Sequence, residues 1–260
     1  LEEDKIVMPL DPSGNGSIVQ IVVSLSSARQ FFSDQIQDAD VIEVRLDLIP
    51  DLTWEEMDKL ASSFDGPIIL TLRSREEGGA FSPDKEAWIT RIIPFLSFVT
   101  LVDVEIRYKE HAGFLREAGK TVIASCHKNE MLSPEDLLSL YRELRLYGDI
   151  PKIAVQPQDT GDLLTLLQFT HTTGKPLIVS VTGTICRHAR PLLPLFGSLY
   201  TYCYIDSPTS PGQYSLREMR LLYQLLAPGI MDTWFDGAPD QSKDPFPFSW
   251  LVEKNKNRLE

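Results

Sequence analysis

The chain has only three cysteines in 260 residues, Cys126, Cys186 and Cys203. Their odd number and the lack of C-x-x-C spacing exclude a disulfide framework and point to a reducing, cytoplasmic compartment. Long apolar runs are also missing. Nothing approaches the ~18 residues a membrane span needs, and the acidic start Leu1-Glu2-Glu3-Asp4-Lys5 has no signal-peptide core. Basic blocks are absent. With 25 Lys and Arg against 37 Asp and Glu, the net charge is −12. That argues against nucleic acid or an anionic membrane as partner and makes any anion site a local one. The remaining histidines, His111, His171 and His188, form no H-x-x-x-H pair and have no neighbouring Cys cluster, so no metal is expected. The glycine fingerprint G-x-G-x-x-G is missing too, which weighs against a dinucleotide-binding open sheet.

What is present is a regular alternation. Short β-branched runs recur at 18–24, 41–46, 67–72, 98–105, 121–125, 152–155, 176–181 and 198–205. Segments of helical spacing lie between them. Pro134-Glu135-Asp136-Leu137 follows Ser133, a good N-cap with acidic residues in the first turn; 162–167 closes near Gly174, and 214–226 is amphipathic. Hydrophobic content of 43% is ordinary for a full core. About eight strand–helix alternations in a chain near the ~250 residues typical of the fold predict a single-domain (β/α)8 TIM barrel. Its bounds are 18–228, with an N-terminal extension at 1–17 and, at 229–260, a C-terminal extension or the start of a fused second domain.

Polar residues fall at the ends of these runs: Glu43, Arg45 and Asp47, then Arg73, Glu105 with Arg107, His127, and the stretch from Thr209 to Gln213. In such a barrel the C-terminal strand ends build the active site, so these positions read as one converging pocket. Glu43, Arg45 and Asp47 alternate and share a face, where three charges demand partners or a polar ligand. Lys152, in Pro151-Lys152-Ile153-Ala154-Val155, is a lysine inside an otherwise apolar strand. A desolvated amine loses its proton more easily and condenses with ketones. His127, one strand earlier, is placed to carry the proton transfers of an imine intermediate.

Six motifs in order, Glu43-Val44-Arg45-Leu46-Asp47, Arg73-Ser74-Arg75-Glu76-Glu77-Gly78-Gly79, Ser125-Cys126-His127, Pro151-Lys152-Ile153-Ala154-Val155, Phe196-Gly197-Ser198 and Ser210-Pro211-Gly212-Gln213, resemble type I 3-dehydroquinate dehydratase over roughly 18–226. The resemblance implies a homodimeric barrel of the shikimate pathway that uses no metal and no organic cofactor. It implies that Lys152 forms the imine with 3-dehydroquinate, that His127 moves the protons and that Glu77 orients His127. Glu43, Arg45 and Arg73 then face the substrate hydroxyls, and an arginine with Thr209, Ser210 and Gln213 holds its carboxylate, for which a guanidinium suits better than an ammonium. On the same reading, arginines near Lys152 help keep its amine neutral.

The sequence departs from this pattern in four places. The interval from Ser180 to Phe196 runs about three residues long, so both Arg187 and Arg190 are candidates for the carboxylate; Arg190 is preferred because loops accept insertions more easily than helices. Gln156 stands where the family commonly has methionine, and Thr209 where serine is usual. The stretch 237–245 weakly resembles the opening of shikimate dehydrogenase, which some organisms fuse behind the dehydratase. Two other readings compete: a class I aldolase-like Schiff-base barrel, which would want a phosphate site after strands seven and eight, and an inert barrel acting as a scaffold. Cys126, adjacent to His127 on a strand, is expected to point away from the site.

Overall fold

Eight parallel strands wind in chain order around a common axis: β1 Gln20–Leu25, β2 Val41–Arg45, β3 Ile68–Thr71, β4 Leu101–Glu105, β5 Thr121–His127, β6 Ile150–Val155, β7 Ile178–Val181 and β8 Tyr200–Tyr204. A ninth, β9 Tyr214–Ser215, adds to β8 through Cys203 and Tyr204. The computed structural model describes residues 19–82 and 84–227. Helices α1 Trp54–Ser63, α2 Lys85–Ile92, α3 Ala112–Glu117, α4 Pro134–Arg145, α5 Thr160–Thr172, α6 Ala189–Leu195 and α7 Leu216–Leu226 return the chain between strands. The fold is the expected single-domain (β/α)8 barrel. The extensions 1–17 and 229–260, with the stretch 237–245, lie outside the described residues, as does Ile18.

Two expected boundaries shift for local reasons. Phe98 closes a 3-10 turn, Ile93–Phe98, with Pro94 in its first turn, and the fourth strand begins only at Leu101. The last helix starts at Leu216 because Tyr214 and Ser215 pair with β8, and Ser215 then caps the helix by accepting from the Glu218 amide while Glu218 accepts from the Ser215 amide. Ser133 caps α4 as expected, ahead of Pro134 at a position with no helical hydrogen bond to lose.

The barrel interior is stacked in two levels, and period-two alternation explains both. At the bottom each strand gives one apolar side chain: Val22, Val41, Ile69, Leu101, Ile123, Ile150, Ile178 and Tyr200. The next inward residue on each strand, two positions on, is Ser24, Glu43, Thr71, Asp103, Ser125, Lys152, Ser180 or Tyr202. An apolar floor therefore carries a layer made almost entirely of polar groups. Outward-facing residues of the same strands, such as Val44, Val104, Cys126 and Ile153, pack beneath the helices in the main core.

Along the wall, ladders join consecutive strands from β1 to β7 and join β8 to β1. Among the described residues no ladder joins β7 to β8. The seam is held by the Leu199 amide donating to the Leu177 carbonyl at 2.8 Å and by the Ser198 hydroxyl, which accepts from the Val179 amide at 3.0 Å and lies 3.1 Å from the Val179 carbonyl. Ser198→Ala leaves a buried amide unpaired and is expected to destabilise the protein by ~1–3 kcal/mol, measured as a fall in denaturant midpoint. An unchanged midpoint would mean the seam is closed by packing alone.

Candidate active site

Lys152 reaches the cavity from the middle of β6, 4% exposed. Its Nζ donates to Asp103 Oδ2 at 3.0 Å, lies 3.6 Å from Glu43 Oε1 and stands 4.2 Å from the ring centre of Tyr202. The groups touching the amine are thus two carboxylates and an aromatic face. Arg73 shares Asp103 with the amine, its Nη2 lying 2.8 Å from Asp103 Oδ1. Each carboxylate is itself well supplied with donors. Glu43 accepts from Ser24 Oγ at 2.6 Å and Thr71 Oγ1 at 2.9 Å. Burial, the largest influence, pushes Glu43 up, but Lys152, Arg45 and the Ser24 hydroxyl together outweigh it and hold the carboxyl below its usual range. Asp103 is also driven up by burial, and Arg73, Lys152, His127 and Ser125 together pull it far down. Both are anions at neutral pH.

His127 ends β5 beside this cluster. Glu77 Oε2 accepts from the His127 backbone amide at 3.0 Å and lies 2.9 Å from Nδ1. With Nδ1–H donated to Glu77, Nε2 carries the lone pair toward the cavity. Burial first, then the charges of Arg73 and Lys152, hold the imidazole well below its usual value, so it is neutral at pH 7. Burial raises Glu77, against the pull of Arg73. Arg73 is the hub: Nη1 reaches Glu77 at 3.2 Å, Glu105 at 3.1 Å and Ser125 Oγ at 3.0 Å. It lines the cavity, but most of its donors are turned to protein carboxylates. Asp47 braces the loop carrying Glu77, accepting from the Arg73 and Ala80 amides, and clamps Arg45 through two bonds of 2.9 and 2.7 Å. Arg45 lines the cavity; Arg107 turns outward to Glu76.

The far rim comes from the segments after β7 and β8. Arg190, on α6 and 4% exposed, donates weakly to the Pro211 carbonyl at 3.3 Å and to Ser210 Oγ at 3.5 Å. No described carboxylate lies within salt-bridge distance of it, and burial brings its guanidinium down to about 10. Arg187 instead stacks over the Tyr214 ring at 3.9 Å and does not line the cavity. Gln213 accepts from the Thr209 amide at 2.8 Å and hydroxyl at 3.1 Å, fixing the turn that presents Ser210. This turn meets the segment after β7 where a Cβ on Gly212 (φ 77°) would fall 2.0 Å from the Gly183 carbonyl oxygen, so glycine is required there. Gln156 packs its side chain against Gly183 and also lines the cavity. On the expectation that Arg190 holds a carboxylate, Arg190→Ala lowers kcat/KM roughly 100-fold through KM, because a charge-assisted pair is lost, while Arg187→Ala stays within a few fold. Steady-state kinetics on both variants read this, and the reverse ranking would move the anion site to Arg187.

The cavity these residues line is about 440 Å³, within the range of small-molecule sites. Lys152, His127, Glu77, Glu43, Arg45, Arg73, Arg190, Thr209, Ser210 and Gln213 come together around it. Sequence reasoning passed over Asp103, the amine's nearest neighbour, although Leu101-Val102-Asp103-Val104-Glu105 puts it on the same strand face as Glu105. It also passed over Ser24, Thr71, Ser125 and Tyr202. Cys126 packs behind the site as expected, and burial pushes its thiol up to about 11, an inert state. Among the described residues no group of three His, Cys, Asp or Glu side chains is arranged to hold a metal ion, and no helix is long and apolar enough to cross a membrane.

Comparison with known proteins places this architecture. A sequence model of type I 3-dehydroquinase matches residues 21–229. The 3-dehydroquinate dehydratase of Methanospirillum hungatei is 47% identical over 94% of this chain and 95% of its own, and that of Methanoregula boonei is 41% identical over 80% of this chain and all of its own. Among solved structures, the type I 3-dehydroquinate dehydratase of Clostridium difficile superposes with a TM-score of 0.69 at 26% identity, covering 81% of this chain and 93% of that one. The chain belongs to the type I 3-dehydroquinase family.

Proposed function

We propose that this protein dehydrates 3-dehydroquinate to 3-dehydroshikimate through an imine on Lys152. The observation that carries the reading is the meeting of Lys152, the Glu77-held His127 and the unpaired Arg190 around one cavity. The substrate is a cyclic ketone with a carboxylate and several hydroxyls. Its carboxylate pairs with Arg190 and the Thr209–Gln213 turn, and its hydroxyls meet Glu43 and Arg45. Asp103, with Arg73 and Ser125 behind it, positions the amine.

In the first step Nζ adds to the C3 carbonyl carbon, the C–O π pair moves to oxygen, and that oxygen takes up protons and leaves as water. The product is a protonated C=N bond, an electron sink that acidifies C2. His127 Nε2 then removes the C2 proton, giving an enamine. Its electron pair returns through C2 to form the C1–C2 double bond as the C1 hydroxyl departs, protonated by the same imidazolium. Water finally adds to the C=N carbon and releases the amine. The net change is loss of one water with no oxidant or cofactor.

This reading carries the shikimate pathway, a cytoplasmic compartment and a homodimer with it. Three buried free cysteines support a reducing environment, and the homodimer rests on the family resemblance. Residues 229–260 read as an extension or as the start of a fused shikimate dehydrogenase-like domain. The deciding experiment is intact-mass spectrometry after 3-dehydroquinate and borohydride. An adduct of ligand size on Lys152 supports the imine, whereas an adduct only with a sugar phosphate, or none with folded protein, would overturn it.

A further inference from the structure

One inward-facing group of the polar layer takes no part in these steps. Tyr202, on β8 and 6% exposed, lines the cavity. Its ring faces Lys152, with Nζ 4.2 Å from the ring centre, and the Tyr200 ring meets it edge-on at 6.5 Å and 83°, which fixes its plane. The hydroxyl is buried and has no hydrogen-bond partner among the described residues. Around it, the charged groups of the layer are matched: Glu43 with Ser24 and Thr71, Asp103 with Ser125, Arg73 and Lys152.

A buried hydroxyl without an acceptor is costly to the folded protein, and phenylalanine would fill the same space without that cost. At the wall of a cavity, such a hydroxyl is a donor available to a ligand. Burial, followed by the charges of Glu43 and Asp103, drives the phenol far above its usual value. It stays a neutral donor and does not become a base. Ring and amine are in contact, and Tyr202 lines the cavity into which a ketone bonded to Nζ must project.

We propose that Tyr202 is a further catalytic residue of the imine-forming step: its hydroxyl donates to the ketone oxygen as Nζ adds, and its ring face steadies the nitrogen as it becomes cationic. The inference rests on the imine reading above. As the N–C bond forms and the C–O π pair moves to oxygen, the phenol hydrogen bond strengthens on the developing negative charge. The phenol keeps its proton; the oxygen takes one proton from the nitrogen and one from solvent and leaves as water, and the nitrogen lone pair closes the C=N bond. The positive charge then lies over the electron-rich face of the ring.

Tyr202→Phe tests the hydroxyl while keeping the ring. With the parent protein as reference, the rate of the borohydride-trappable adduct after rapid mixing with 3-dehydroquinate is expected to fall roughly tenfold, and kcat/KM with it, the size of one lost hydrogen bond in the transition state. The free variant is expected to melt at or above the parent temperature, a readout that a structural hydroxyl would move the other way. Trapping rate and kcat/KM within twofold of the parent would overturn the proposal, as would a lowered melting temperature together with unchanged trapping. No adduct with the parent itself removes the imine reading and this inference with it, so the two failures are distinguishable.

Discussion

Lys152→Ala is expected to lower turnover of 3-dehydroquinate by at least ~10,000-fold and to abolish the borohydride adduct. No other described lysine is placed in the cavity, so no substitute nucleophile stands by. The variant is expected to fold. Asp103 retains Arg73 and Ser125, and Glu43 retains Ser24 and Thr71, so neither carboxylate is left as an isolated buried charge, which would be the destabilising case. Circular dichroism establishes folding, and mass spectrometry with a coupled spectrophotometric assay reads the chemistry. Residual turnover within 100-fold of the parent would mean that dehydration proceeds without a covalent intermediate.

The second large effect belongs to His127. His127→Ala is expected to cost ~100- to 10,000-fold in kcat, the range of a lost general acid–base group, while the adduct still forms because Nζ is untouched. Its pH behaviour follows from the sign of the shift. A base must be unprotonated; burial and the nearby Arg73 and Lys152 lower its pKa well below the ordinary histidine value. As pH falls through 6.5, kcat therefore holds, and it drops only when pH passes the lowered value. An acid limb centred at or above 6.5 would contradict the placement of His127 among these cations. Glu77→Gln is the informative companion: it keeps an acceptor for Nδ1–H but removes the counter-charge.

The fold was legible because period-two runs and capped helices alternate in a way few architectures allow, and the strand ends named most of the cavity. The reading was poorest where contacts depend on strand tilt. Asp103 and Lys152 are 49 residues apart and two strands apart, and a single acid inside an apolar run looks like an isolated charge until the barrel closes. The link between Arg73 and Lys152 through their shared partner Asp103 is hidden for the same reason. Arg187 and Arg190 differ by three residues, about one helical turn, so spacing alone leaves both open. The packing of Arg187 on Tyr214 and the burial of Arg190 under the Ser210–Gln213 turn support the proposed choice of Arg190.

The unladdered seam between β7 and β8 has a mechanical meaning. Arg190 follows one side of it and the Thr209–Gln213 turn follows the other, so the rim proposed to bind the carboxylate straddles a joint without a ladder among the described residues. A bound carboxylate touching both sides acts there as a rivet. Ligand affinity and barrel rigidity are then one linked quantity, since whatever binds only the closed wall stabilises it by mass action.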